Sequence, residues 1–119
     1  MSKVNVPEKL STFHELWSPK IVGEVNESYI KVVKLKGEFL WHTHEHEDEM
    51  FYVLKGQLTI RFRDEDIHLD EGEFLIIPKG VEHMPVAKEE AHVMLVEAKT
   101  TLNTGDVVNE RTVNELERI

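Results

Sequence analysis

Between residues 28 and 97 the chain is a succession of short β-branched and aromatic runs, each cut off by glycine, proline or an acidic turn. Short strands with such regular punctuation favour an antiparallel sandwich or small barrel, because each run is too brief to bury a helical face. Residues 28–36 carry Ile30, Val32 and Val33 and close at Gly37, and residues 39–46 read as a second strand. Residues 50–54 lead into Lys55 and Gly56, which suit a tight hairpin before residues 58–62. In that run Leu58, Ile60 and Phe62 alternate with Thr59 and Arg61, the period of a half-buried strand. Residues 67–69 are a brief strand between two acidic turns. Residues 74–77 form a continuous apolar run, as expected of a buried strand, and Pro78-Lys79-Gly80 has turn chemistry. Val86 and then residues 92–97 complete the set.

The flanks read differently. Leu10, Phe13 and Trp17 recur at near-helical spacing and predict a short helix over residues 9–17, stopped before Pro19 and packed over one end of the core. The expectation is one all-β domain over residues 1–119. It has a barrel core at about 21–100, a cap at 1–20 and a polar tail at 101–119. Val107, Val113 and Leu116 give that tail a means of capping an edge strand or reaching a partner subunit.

Composition removes several functions. There are 23 acidic against 14 basic residues, for a net charge of −9, and no basic stripe with interleaved aromatics, so no nucleic-acid partner is expected. The chain has no cysteine, which rules out a thiol nucleophile, a disulfide framework and a cysteine-based zinc site. No apolar run approaches the ~20 residues of a spanning helix, and the first residues lack the apolar segment of a signal peptide. No membrane partner is expected, and the expected location is the cytoplasm.

The chemistry concentrates in Trp41-His42-Thr43-His44-Glu45-His46, followed by Glu49 and, much later, His83. On a strand, side chains at i and i+2 share a face, so His42 and His44 can present two imidazoles to one point. Glu49 lies an odd number of residues beyond His44, so a bend or bulge through residues 45–48 must return it to the same face. Glu49, Phe51 and Val53 then share the inner side, and closure of the sheet brings His83 across. Imidazole and carboxylate together suit first-row transition metals. Trp41 is out of phase with these histidines and is expected outside the sheet. His14, His68 and His92 have no partner pattern, and surface or satisfied-core roles are their default.

Two segments resemble the paired motifs of the cupin family. His42, His44, Glu49 and Gly56 match its first motif in spacing, with Gly37 one residue closer than usual. Gly72, Pro78, Gly80 and His83 match the second, and Ala87 stands where the family usually has asparagine. The resemblance implies an antiparallel double-stranded β-helix, or jelly-roll barrel. It further implies one divalent metal (iron, manganese, nickel or zinc) on His42, His44, Glu49 and His83. The family places no ligand at the position of His46, which is expected beside the site or exposed.

The resulting expectation is a metal-dependent enzyme, isomerase- or dioxygenase-like, acting on a small oxygen-rich molecule, with no catalytic residue identified beyond the ligands. The alternative is a metal-loaded module that binds or senses a small ligand without turnover. A phosphate-bearing substrate would need Arg or Lys facing the lumen. Pairing of the barrel as a homodimer is expected, through an outer sheet or an exchanged terminal strand.

Overall fold

The computed structural model describes residues 1–119. One short helix and eight strands follow in order: α1 (Val6–Leu10), β1 (Lys20–Val25), β2 (Ser28–Glu38), β3 (Glu49–Lys55), β4 (Leu58–Arg61), β5 (Asp66–Leu69), β6 (Phe74–Ile77), β7 (Met84–Ala98) and β8 (Glu117–Arg118). All pairings are antiparallel except β1 with β8. The organising element is β7. Along one edge it pairs with β2, from Ser28 opposite Ala98 to Glu38 opposite Val86. Along the other it pairs first with β3 and then with β4.

That arrangement corrects the hairpin expected at Lys55-Gly56. β3 and β4 do not pair with each other; they run end to end against the same edge of β7. The turn chemistry is real but serves a corner. Gly56 has a φ of +83°, and a Cβ there would sit 3.0 Å from the Glu90 carbonyl, so backbone passes backbone where the path bends. Val86 and residues 92–97, expected as separate pieces, belong to the single fifteen-residue β7. Charged residues such as Lys88, Glu89 and Glu90 interrupt its apolar pattern, yet the register with β2 continues past them after a shift between Leu35 and Gly37.

Alternation gives the barrel its core. Val33, Leu35, Phe51, Val53, Leu58, Ile60, Leu69, Ile77, Val93 and Leu95 are all buried in one cluster. Burying side chains of this size contributes roughly 1.5–3 kcal/mol each, which is what holds so many short strands together. β6 departs from expectation. Of its four apolar residues only Ile77 is fully buried, while Phe74 and Ile76 are more than half exposed on the outer face. It pairs with β3 alone, so it is an edge strand, not a central one.

The predicted helix over 9–17 is shorter and earlier. Asn5 caps α1 by accepting from the Glu8 N–H at 3.0 Å, and Pro7 sits in the first turn. These start signals outweigh the apolar spacing further on. Leu10 and Phe13 still cover one end of the barrel, burying Val32 in a second cluster to which Ile119 contributes. Trp17 lies outside any helix at a φ of +59°, held by its own N–H to the Lys34 carbonyl and its indole N–H to the Lys36 carbonyl. The tail caps an edge as expected, with β8 added beside β1. No helix is long and apolar enough to cross a membrane.

Candidate metal centre

The segment expected as a strand over residues 39–46 has no ladder of its own. It runs extended beside residues 79–85, tied at intervals. Phe39 N–H donates to the Pro85 carbonyl at 3.0 Å, and Gly80 N–H donates to the His44 carbonyl at 2.8 Å. Between these, His42 and His83 exchange a reciprocal pair of backbone bonds, 3.1 and 3.0 Å. This bridge is what brings His83 to the histidine pair across the closed sheet. The bend expected through residues 45–48 is present at Glu45 and His46, and Glu49 then reaches the inner face at the start of β3.

His42, His44, Glu49 and His83 are all buried, and each offers a ligand atom within 4.8 Å of every other. Glu49 Oε1 lies 3.2 Å from His83 Nε2 and 3.5 Å from His44 Nε2. His42 Nδ1 lies 2.9 Å from the Leu40 carbonyl, and His83 Nδ1 lies 2.9 Å from the Val81 carbonyl. A carbonyl only accepts, so each Nδ1 carries the proton and each Nε2 keeps its lone pair for the centre of the cluster. Both ring nitrogens of His44 are buried without a hydrogen-bond partner. An unsatisfied buried imidazole normally costs ~1–3 kcal/mol. A cation bound among the four side chains would satisfy its inward nitrogen, so the donor set suits a divalent transition metal.

Electrostatics supports the same reading. Burial, reinforced by neighbouring His83, lowers the pKa of His42 to about 4, so at neutral pH it is an uncharged donor. Burial alone would raise Glu49, but a hydrogen bond with Glu97 and the adjacent imidazoles of His44 and His83 hold its carboxyl well below the usual range. It is the charged member of the cluster.

Two further charged groups face this lumen, and the sequence reading passed over both. Glu97 stands directly opposite Glu49 in the β3–β7 register. Lys31 holds it through an ion pair of 2.7 Å in which both side chains are almost wholly buried. Burial, followed by the charge of Glu49, pushes the Glu97 carboxyl well above its ordinary value, with Lys31 opposing. A signal for them existed: Val93, Leu95 and Glu97 share one strand phase, as do Lys31, Val33 and Leu35. A charged residue on the inward phase of a barrel strand has either a partner or a task.

The other sequence-derived assignments are settled by position. His46 is exposed at the bend. Trp41 lies outside the sheet with the Arg63 guanidinium 3.7 Å from its ring, and Arg63 also pairs with Glu82. Arg61 is likewise exposed, so neither arginine serves the lumen. His92 is bonded to Glu90 and His68 to Thr59.

The tail contributes support that no sequence pattern announced. Asp106 clamps Thr43, accepting from its N–H at 2.9 Å and donating its own N–H to the Thr43 carbonyl at 3.0 Å. Gly105 sits so close that a Cβ would run into that same carbonyl and lie 3.1 Å from His42 Cδ2. The histidine segment is therefore wedged between residues 79–85 on one side and the tail on the other.

Known proteins agree with this geometry. A family model described as a cupin domain matches residues 30–99. The chain belongs to the cupin family, and its fold is the cupin β-barrel with a short added helix. It is similar to the solved structure of a cupin-2 domain protein from Shewanella frigidimarina. That match has 48% identity and a TM-score of 0.80, and it covers 81% of this chain and 94% of that one. It is 40% identical over 63 residues to YdbB of Bacillus subtilis, a match spanning 52% of this chain and 56% of that protein. It is also 40% identical over 42 residues to a quercetin 2,3-dioxygenase of Bacillus subtilis, covering 35% of this chain but only 12% of the enzyme. The chain thus spans about half the length, or far less, of the curated relatives it matches.

Proposed function

We propose that this cupin is a metal-dependent enzyme of the dioxygenase kind, working on a small oxygen-bearing molecule in the lumen of the barrel. The observation that carries the proposal is the buried cluster of three imidazoles and one carboxylate, with His44 left unsatisfied by protein. His42, His44, Glu49 and His83 would hold the ion. Bound there, a divalent metal supplies Lewis acidity and open coordination positions at which oxygen atoms of the reactants are oriented and polarised. Two such positions remain on a six-coordinate ion after four protein donors.

The chain's own residues shape the rest. A small adjoining cavity, partly open to solvent, is lined by Trp17, Phe39, Phe51 and Leu95 and reaches His42, Glu49 and Glu97. Its walls are largely aromatic and aliphatic, which limits water around a reacting molecule. The likeness to quercetin 2,3-dioxygenase favours oxygen chemistry over isomerisation. A sugar phosphate is disfavoured, since no arginine or lysine lines this cavity.

The test is elemental analysis of protein purified without chelators or an affinity tag, followed by oxygen-uptake measurements with catechols, thiols, keto acids and sugar phosphates. The expected result is one divalent metal per chain and oxygen consumption with a hydroxylated member of the panel. Full metal occupancy without turnover of any member would replace the enzyme by a metal-loaded binding module.

A further inference from the structure

Four strands of the barrel carry an apolar outer face. In the strand register Ile76 stands opposite Met50, Met50 opposite Val96, and Val96 opposite Ile30. One row further along, Phe74 stands opposite Tyr52, and Tyr52 opposite Met94. Phe51, Val53, Val93 and Leu95 take the inward positions of β3 and β7, so by alternation these two rows face outward. None of the seven side chains is fully buried: Phe74 and Ile76 are 56% and 54% exposed, and the other five are half-buried. None carries a charge, in a chain whose net charge is −9. Leu10 and Phe13 cover the sheet only beyond the second row, at Val32.

From this we infer that the outer face of β6, β3, β7 and β2 is an interface between two copies of this chain, packed sheet against sheet across a two-fold axis. The inference stands apart from the metal centre, because these side chains point away from the lumen. Area and charge select the occupant. The seven side chains present roughly 400 Å² of apolar surface, judged from their exposure and the usual area of such groups. One partner of a standard interface buries about 800 Å², a little over half of it apolar. The patch therefore supplies the apolar centre of such an interface, and its polar margins supply the rest. Two copies that each carry −9 repel least where neither presents a charge. An anionic lipid surface would be repelled by the same net charge, and a basic partner would gain nothing from seven uncharged side chains. Facing sheets pack about 10 Å apart with interleaved side chains, and the flexible Met50 and Met94 can fill an imperfect fit. A contact that uses the same patch on both copies closes at two.

Sedimentation equilibrium of the full chain, from nanomolar to tens of micromolar, tests the pairing. The mass expected at the upper end is twice 13.9 kDa. Phe74→Glu combined with Ile76→Glu adds charge at two exposed positions, so the sheet signal in circular dichroism should persist. The dimer dissociation constant should rise at least about a hundredfold. Val108→Glu, at an exposed apolar position outside the patch, should leave that constant within about twofold. Hydroxyl-radical footprinting of the wild-type chain over the same concentrations reads the face without relying on a variant that folds. Oxidation of Met50 and Met94 should fall at least about threefold as the dimer forms, while that of the fully exposed Met1 stays constant. A monomeric mass at tens of micromolar, a dimer unchanged by the folded double variant, or a dimer in which Met50 and Met94 stay reactive would overturn the inference. Protection confined to Phe74 and Ile76, the result of β6 pairing edge to edge, would overturn it too.

Discussion

Glu49 and the His42–His44 pair arrive at one point from opposite kinds of structure. Glu49 opens β3, a strand paired on one edge to β6 and on the other to β7, so the sheet itself fixes where its carboxylate lies. His42 and His44 lie on a stretch with a single bridge to His83, and Asp106 and Gly105 of the tail press it into place. The contrast teaches that Glu49 is held as firmly as the barrel itself. The histidine pair depends on residues some sixty positions away in sequence.

Removing the loop-borne donors should have the largest effect. His42→Ala combined with His44→Ala is expected to abolish stoichiometric binding of divalent metal, read by elemental analysis; full occupancy in that variant would sink the ligand assignment. Gly105→Ala comes next. It places a methyl group against the Thr43 carbonyl and forces a left-handed conformation on alanine, at ~1–2 kcal/mol for the backbone alone. Metal affinity should fall at least about tenfold, while the sheet, followed by far-ultraviolet circular dichroism, persists. An affinity equal to wild type would mean the tail merely lies alongside the site.

Asp106→Ala probes the same clamp more gently. Losing one charge-assisted bond to the Thr43 N–H costs about 1.5–3 kcal/mol, divided between folding and metal binding, so a several-fold rise in the metal dissociation constant is expected. Acid should act on the metal-free protein through His42. Its folded pKa is about 4, whereas an unfolded histidine titrates near 6.5. Between those values the unfolded state binds the extra proton, so stability falls as pH falls, by up to about 1.4 kcal/mol per pH unit from this group. Denaturant melts of metal-free protein from pH 7 to pH 4 would measure that slope, which His42→Gln should flatten. The smallest effect belongs to His46→Ala: the side chain is exposed at the bend, and metal occupancy should not change.

The barrel and the four proposed ligands were legible in the sequence because both rest on short-range pattern. Period-two alternation marks which residues face inward, and the spacing of His42, His44, Glu49 and His83 carries the resemblance to cupins. What escaped depended on distant partners. Lys55-Gly56 reads as a hairpin in isolation, and only the length of β7 turns it into a corner. β6 reads as buried because apolar runs do not reveal whether a second face is covered, and Phe74 and Ile76 are not. Glu97 was hidden by its own commonness, since a glutamate near a strand end is ordinarily solvated. Gly105 and Asp106 sit in a polar tail with no periodicity at all, and nothing local links them to Thr43.

X-ray absorption spectroscopy on the protein as purified addresses the central claim most directly. The account predicts a divalent transition metal whose nearest shell contains nitrogen and oxygen donors only, with scattering from three imidazoles, one of them lost in His83→Ala. A shell with fewer than two imidazoles, or one unchanged by His83→Ala, would contradict it.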